Sequence, residues 1–238
     1  MKAGTYLELV GEFYEGTVFI YGTTLLLIYA LLAFLSLGAV RKFNNLDSYV
    51  DYTLLLNSHH TPGISVIAPA FNESLTIIEN VHSLLNLNYP KYEVIIVNDG
   101  STDNSLELMV KEFDLAEVDF AYNERLKTKP VKRIFRSTNP AYAKLLVVDK
   151  ENGKAKADAS NAGVNVSSFD YFLCTDVDSI LDRNTIMKLI KPVMDESKKR
   201  VIAIGATLRM ANSCVIEQGY MQRVVVPKQL LPDRKSVV

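Results

Sequence analysis

The sequence predicts an α/β protein with a mainly parallel sheet, helices on both faces of that sheet, and one transmembrane helix in front of it. From residue 62 onward, short apolar runs rich in β-branched residues alternate with segments of helical periodicity, a pattern typical of a parallel sheet covered on both faces. Polar and glycine-containing segments follow these apolar runs, and residues 17–40 contain no charged side chain. In such sheets a ligand binds at the carboxyl ends of the strands.

Residues 17–40 are predicted to form the membrane-spanning helix. At about 1.5 Å per residue this helix would be roughly 36 Å long, enough to cross a hydrocarbon core of about 30 Å. The alternatives are a buried core helix and a cleaved signal peptide, which is shorter and has a basic lead. Here the lead contains Glu8, Glu12 and Glu15 against Lys2, so the membrane span is favoured.

Charge beside the span predicts its orientation. Arg41 and Lys42 follow it directly, and basic residues favour the cytoplasmic side. We therefore expect residues 1–16 to be a short extracytoplasmic lead, and the rest of the chain to lie on the cytoplasmic side of the cell (inner or plasma) membrane. Residues 41–61 are mixed and polar, as expected of a juxtamembrane linker.

Residues 62–226 are predicted to form one domain. Strands are predicted where apolar runs meet breakers, at residues 64–68, 94–97, 132–135, 145–148, 171–175 and 201–205. Helices are predicted where apolar residues recur every three or four positions, or where alanine and lysine dominate, at residues 73–87, 104–112, 153–163 and 184–194. Cys174 lies in an apolar run and is predicted to be a small core residue.

Composition excludes several classes of protein. The chain has 238 residues with 26 basic and 27 acidic side chains, a formal net charge of −1. It has no overall field to attract nucleic acid, and we expect no nucleic-acid partner. Two cysteines are too few for a disulfide framework, and three histidines argue against a histidine-built zinc centre.

Two aspartates follow the strand predicted at residues 171–175. On an extended strand, residues i and i+2 point to the same side, so Asp176 and Asp178 can converge on one ligand. Hard oxygen ligands of this kind suit Mg²⁺ or Mn²⁺. A turn whose aspartates cap the next helix explains the same residues, and the motif alone leaves both interpretations open.

Asp99 and the lysine-rich segment at residues 153–163 also follow predicted strands. Asp99 lies among turn- and cap-forming residues, for which a cap is the simpler interpretation. Lys154 and Lys156 are consistent with a solvated face or with a phosphate contact. Small residues around these lysines would let a ligand approach closely, and the combination of segments favours a ligand site.

Four segments in this order, PAFNE, VNDGSTD, KADASNAG and CTDVDS, resemble the cytosolic domain of membrane-bound family 2 glycosyltransferases. They are most similar to the processive group that includes cellulose, chitin, hyaluronan and poly-N-acetylglucosamine synthases. The resemblance covers residues 61–222 and the preceding transmembrane helix. It implies a GT-A fold, which is Rossmann-like, and a nucleotide-sugar donor, usually a UDP-sugar.

The resemblance also implies roles for residues around the nucleoside. Ala70 and Glu73 would lie along the uridine cleft, and Asp99 would accept a hydrogen bond from the uracil imide. Lys156 and Asp158 would line the donor site near the ribose and diphosphate.

At the phosphate end, the resemblance implies that Asp176 holds the ribose or the metal shell. Asp178 would ligate a divalent cation, Mg²⁺ or Mn²⁺, that bridges the diphosphate. Negative charge builds on the leaving oxygens when a nucleoside diphosphate departs, and a metal with a lysine can stabilise that charge. The implied roles therefore agree with the chemistry of these side chains.

Two motifs of the family are missing from this sequence. The family's catalytic base is an aspartate in a later Glu-Asp-type motif, which a Gln-x-x-Arg-Trp motif follows, and the chain has no tryptophan. We therefore expect an incomplete GT-A domain that stops before the base, with residues 227–238 as a truncated end. Residues 233–238 can be back-translated into a common sequencing adapter, so we expect them to be an artefact.

The leading hypothesis is an inverting hexosyltransferase that passes a sugar from a UDP-sugar to a polysaccharide or lipid-linked acceptor, here as a fragment inactive by itself. The alternative is a nucleotide-binding module without catalysis. A nicotinamide-dependent oxidoreductase is disfavoured because no G-x-G-x-x-G follows the first strand. A glycoside hydrolase is disfavoured because Asp176 and Asp178 would not face each other across a sugar ring.

Overall fold

A computed structural model of the chain describes residues 3–47, 61–194, 201–206, 215–217 and 220–223. The chain divides into two compact units, Met1–Tyr52 and Thr53–Val238. The truncated end and artefact predicted at residues 227–238, and most of the predicted linker, lie outside the described residues.

The first unit contains one long helix, α1 (Ala3–Asp47). Within it, Val10–Gly38 is long and apolar enough to cross a membrane, with a mean hydropathy of 2.3 and none of it buried. The hydroxyls of Thr17 and Thr23 each donate to a backbone carbonyl one turn earlier, at 2.8 Å, so they add no unsatisfied polar group. The predicted span lies inside this helix. The predicted lead is helical from Ala3 as well, because no proline separates it from the span.

The second unit is built on a six-stranded mixed sheet of order β3-β4-β5-β2-β1-β6. Its strands are β1 (Ile64–Ala70), β2 (Tyr92–Asn98), β3 (Leu115–Glu117), β4 (Val131–Ser137), β5 (Leu145–Lys150) and β6 (Tyr171–Cys174). Strand β1 pairs in parallel with β2 and β6, and β2 pairs in parallel with β5. Strands β3 and β4 are antiparallel additions at one edge. A separate antiparallel hairpin comprises β7 (Val215–Glu217) and β8 (Tyr220–Arg223).

Helices cover both faces of the sheet. They are α2 (Ile77–Leu85), α3 (Ser105–Glu112), α4 (Lys156–Val166) and α5 (Thr185–Met194), with a short 3-10 helix at Pro140–Tyr142. Val66, Ile67 and Ala68 of β1 are consecutive and fully buried, and neighbours on a strand face opposite sides, so both sides are covered. Helix α4 packs closely on β1, since a Cβ on Gly163 would lie 2.3 Å from Cγ2 of Ile67. The predicted α/β class with a mainly parallel sheet is therefore confirmed.

Two predictions about the strands and the core of this unit are wrong, and three strands were missed. Residues 201–206 form no strand, because an apolar run favours burial but a strand also needs a partner backbone. Cys174 ends the edge strand β6 and is exposed, since an edge strand has no neighbour on one flank. Strands β3, β7 and β8 were missed because three or four residues are too few to show a period.

Candidate functional site

A cleft of about 410 Å³ opens at the carboxyl ends of β1, β2, β5 and β6. It is lined by Pro69, Ala70, Phe71, Glu73, Asp99, Asn152, Lys154, Ala155, Lys156, Ala159, Asp176, Val177 and Asp178. Parallel neighbours bring their carboxyl ends to one edge of a sheet, which is why distant segments meet here. Of the seven site residues predicted from the sequence, all but Asp158 line this cleft.

Hydrogen bonds join the loop after β1 to the loop after β2. The backbone N–H of Asn72 donates to Oγ of Ser101 at 3.0 Å, and the N–H of Thr102 donates back to Oδ1 of Asn72 at 2.8 Å. The N–H of Ser74 donates to Oδ2 of Asp103 at 3.0 Å. These bonds fix one wall of the cleft. They also explain why α2 begins later than predicted, since this stretch of backbone bonds to the neighbouring loop instead.

Asp99 is a buried carboxylate at the bottom of the cleft. It is only 7% exposed, and its Oδ1 accepts hydrogen bonds from Nζ of Lys150 at 2.7 Å and from the N–H of Gly153 at 3.0 Å. Its Oδ2 accepts no hydrogen bond from the described residues. An ionised carboxylate only accepts hydrogen bonds, so Asp99 presents a fixed acceptor to the cleft.

Lys150, which the sequence analysis did not single out, holds Asp99 in place. Its side chain is 0% exposed, and Nζ also donates to Oδ2 of Asp158 and to the carbonyl of Glu151, both at 2.6 Å. All three ammonium donors are therefore used. Burial alone would lower the pKa of Lys150, but its hydrogen bonds to Asp158 and Asp99 outweigh burial and raise that pKa above its ordinary value.

Asp158 serves this buried cluster and does not line the cleft. Besides Lys150, its carboxylate accepts from the backbone N–H of Lys129 at 3.1 Å. Burial favours the neutral acid, but these hydrogen bonds prevail and lower the pKa of Asp158. A Cβ on Gly153 would lie 2.2 Å from Oδ2 of Asp158. At Gly153 and Gly163, then, the small residues expected to admit a ligand instead admit other parts of the protein.

The opposite end of the cleft is exposed. Nζ of Lys156 contacts the carboxylate of Asp176, and both side chains are 53% exposed. Strand β6 stops at Cys174, and the N–H of Ser179 donates to the carbonyl of Asp176 at 3.0 Å. The two aspartates therefore lie on a turn, so the strand alternation expected from their spacing is wrong, although both still line the cleft.

Glu73 lines the cleft between its two ends, where negative charge from both sides accumulates. Its pKa is raised, first by burial and then by the nearby charges of Asp178 and Asp103. Among the described residues, no group of three or more His, Cys, Asp or Glu side chains converges as a metal site. A Mg²⁺ or Mn²⁺ ion commonly keeps few protein ligands and completes its shell with water and phosphate. The carboxylates of Asp178 and Asp176 fit such an ion.

Phe71 is a further cleft residue that the sequence analysis did not assign. It is 48% exposed at the cleft wall, and the next residue, Asn72, has a left-handed backbone with φ of 57°. Its position within the PAFNE segment was the available signal. An exposed aromatic ring in the same cleft as a buried carboxylate offers a flat surface on which a nucleobase can stack.

Together the sheet and the cleft define a class, an α/β protein with a nucleotide-sized site at the strand ends. The family model for glycosyl transferase family 2 matches residues 65–207, more than half of the chain. The chain therefore belongs to glycosyl transferase family 2, and the predicted family and GT-A fold class are confirmed.

Curated relatives of the chain include two staphylococcal enzymes. It is 28% identical over 178 residues to the poly-beta-1,6-N-acetyl-D-glucosamine synthase of Staphylococcus epidermidis RP62A, covering 74% of this chain and 37% of that protein. The match to the synthase of the same name from Staphylococcus aureus COL is 28% over 158 residues, covering 66% of this chain and 32% of that protein. The chain thus spans about a third of the length of these relatives.

Solved structures that resemble the chain include two complexes with nucleotide sugars. Staphylococcus aureus TarS 1–349 in complex with UDP-GlcNAc is 19% identical with a TM-score of 0.42, covering 64% of this chain and 39% of that one. The mannosyltransferase PcManGT from Pyrobaculum calidifontis, in complex with GDP-Man and Mn²⁺, is 22% identical with a TM-score of 0.44. That match covers 68% of this chain and 43% of the mannosyltransferase.

Proposed function

We propose that this chain is the donor-binding part of a membrane-anchored, inverting glycosyltransferase. It would bind a UDP-sugar, and the whole enzyme would pass the sugar to a polysaccharide or lipid-linked acceptor. The observation that carries the proposal is one cleft with a buried acceptor, Asp99, at one end and exposed lysines and aspartates at the other. This arrangement of a buried acceptor and a charged, exposed end matches a nucleoside joined to a diphosphate.

At the end of the cleft that contains Asp99, which we call the nucleobase end, uracil would stack on Phe71 and donate its imide N–H to Asp99. Ala70 and Glu73 would line the uridine cleft beside it. An acceptor-only carboxylate favours bases that present an N–H at this position, as uracil does. Leaving such a buried group unpaired with the wrong base costs affinity, so this end would supply base selectivity.

At the phosphate end, Lys156 and the turn with Asp176 and Asp178 would hold the diphosphate. Asp178, with Asp176, would hold a Mg²⁺ or Mn²⁺ ion, whose charge would neutralise the departing nucleoside diphosphate. Lys156 would exchange its contact with Asp176 for a phosphate oxygen. Asp158 would act from beneath the cleft, through Lys150.

Helix α1 would anchor the enzyme in the cell membrane, with the donor-binding unit on the cytoplasmic side because Arg41 and Lys42 follow the span. Poly-N-acetylglucosamine synthases among the curated relatives support a glycan product. None of the cleft residues is assigned as the catalytic base, so we expect the chain alone to bind the donor without transferring the sugar. A non-catalytic nucleotide-binding module is the alternative for the parent protein.

The direct test is calorimetric titration of the full chain in detergent with UDP, UDP-GlcNAc, UDP-glucose, CDP, ADP and GDP, with Mn²⁺ or with EDTA. We expect cation-dependent binding that favours the uridine nucleotides. Equal binding of all nucleotides, or none of any, would contradict the proposal. A donor screen on a longer parent enzyme would then separate a transferase from a binding module, since only the former releases UDP in the presence of acceptor.

A further inference from the structure

We infer that Lys150 is a positioning residue for recognition of the nucleobase: enclosed between Asp99 and Asp158, it fixes the orientation of Asp99 and places a positive charge beside it, so that the cleft accepts uracil and rejects cytosine. The inference rests on the proposed function, because it assigns a task to a residue beneath the proposed nucleotide site.

Lys150 cannot act on the ligand directly. Its side chain is 0% exposed, and its three donors are used by Asp99, Asp158 and the carbonyl of Glu151 at 2.6–2.7 Å. Any effect on a nucleotide must therefore be indirect, either through Asp99, whose Oδ1 Lys150 shares with the N–H of Gly153, or through the loop that its bond to Glu151 holds. Because both contacts to Asp99 fall on Oδ1, Oδ2 is left as the acceptor for the cleft.

One ammonium group serves two carboxylates, those of Asp99 and Asp158. Without the ammonium, these two acids would lie close together with little exposure, and such a pair favours a neutral acid on one of them. A neutral carboxyl group can donate a hydrogen bond, and N3 of cytosine is an acceptor where N3 of uracil is a donor. Losing Lys150 should therefore weaken uracil binding and improve cytosine binding.

The ammonium group of Lys150 also connects the nucleobase end of the cleft to the loop at the phosphate end. Lys150 binds the carbonyl of Glu151, and Asp99 binds the N–H of Gly153, so both hold the loop that leads to Lys154. Lys154 has a left-handed backbone with φ of 57° and lines the cleft. The loop that would approach the phosphates is thus anchored on the carboxylate that would recognise the base.

The test compares Lys150→Met with Arg133→Met in the full chain. Methionine keeps the length of the lysine stem and removes its charge. Arg133 pairs with the buried Asp149 at 2.8 Å and does not line the cleft, so its variant controls for the loss of a cation beside a buried acid. Dissociation constants for UDP and CDP are measured by calorimetry with Mn²⁺, and the readout is their ratio, which general destabilisation does not change.

We expect Lys150→Met to lower the preference for UDP over CDP about tenfold or more, since an unmatched buried hydrogen bond costs that order of affinity, and Arg133→Met to leave the ratio unchanged. In an Asp99→Asn background, Lys150→Met should change the ratio no further. A folded Lys150→Met variant with the wild-type ratio would overturn the inference.

Should Lys150→Met fail to fold, Lys150→Gln provides the second test. It keeps an N–H donor beside Asp99 but removes the positive charge, and a neutral hydrogen bond is weaker than a charged one, so we expect a smaller fall in the ratio, about threefold. An unchanged ratio in this variant would also overturn the inference. A wild-type chain that does not bind UDP would contradict the proposed function instead, which keeps the two failures distinct.

Discussion

The two ends of the cleft differ in how completely the protein organises them. At the nucleobase end, Asp99 and Lys150 are buried, and Oδ1 of Asp99 accepts two hydrogen bonds from the fold. At the phosphate end, Lys156 and Asp176 are more than half exposed and contact each other. A buried carboxylate held through one oxygen is fixed before the ligand arrives, whereas an exposed pair can exchange partners. Selectivity for the base would thus be built into the fold, and affinity for the diphosphate would depend on cation and ligand.

The largest expected contrast between the two ends is in stability. Asp99→Ala leaves the buried Lys150 with one carboxylate instead of two, and breaking a buried pair costs about 3 kcal/mol. Asp176→Ala removes half of an exposed pair, which is worth less than about 1 kcal/mol. The loss in the free energy of unfolding is measured for both variants by urea titration in detergent, with circular dichroism as the readout. Equal losses in the two variants would contradict the distinction between a preorganised end and a responsive one.

The next contrast is in the dependence on cation. Asp178→Ala should abolish the gain in UDP affinity that Mn²⁺ provides, a loss of roughly ten- to a hundredfold, and should leave binding in EDTA unaffected. Calorimetric titration of UDP with and without Mn²⁺ measures this gain in affinity. Asp182→Ala is the matched control, because Asp182 is exposed near Lys188 and lies outside the cleft lining. A cation effect that persists in Asp178→Ala would remove the metal assignment.

The sequence predicted the parts of this site that follow from local pattern. Each cleft-lining loop comes directly after a short apolar run, and parallel pairing brings such loops together, so Ala70, Asp99 and Asp178 could be placed at one edge without coordinates. Asp176 and Asp178 reached the cleft by a turn instead of the expected strand alternation. The position of a motif at a strand end is therefore more predictable than its backbone conformation.

What the sequence could not predict depends on contacts between distant residues. Lys150 ends β5 and precedes Glu151 and Asn152, which reads as the solvated end of a strand. Its burial follows from Asp99, 51 positions away in the chain, and from a helix that brings Asp158 over it. The strand expected at residues 201–205 failed for a related reason, because composition does not specify a pairing partner.

The smallest expected effect concerns Glu73, which lies between the two ends. Its pKa is raised by burial and by the charges of Asp178 and Asp103, so the folded protein binds a proton there more tightly than the unfolded chain does. The ionised form therefore opposes folding at neutral pH, and this penalty disappears as the pH falls through the raised pKa. Glu73→Gln should be more stable than the wild type at pH 7, by less than about 1 kcal/mol.

This advantage should shrink as the pH falls toward the ordinary range of a glutamate, and urea midpoints measured from pH 7 to about 4.5 would follow it. Glu124→Gln, at an exposed position outside the cleft, is the control and should show no such trend. Saturating Mn²⁺ with UDP should also reduce the advantage of Glu73→Gln, because a cation beside Asp178 offsets one of the charges that raise the pKa of Glu73. A difference that is the same at every pH would mean that the carboxylate of Glu73 does not experience the charge of the phosphate end.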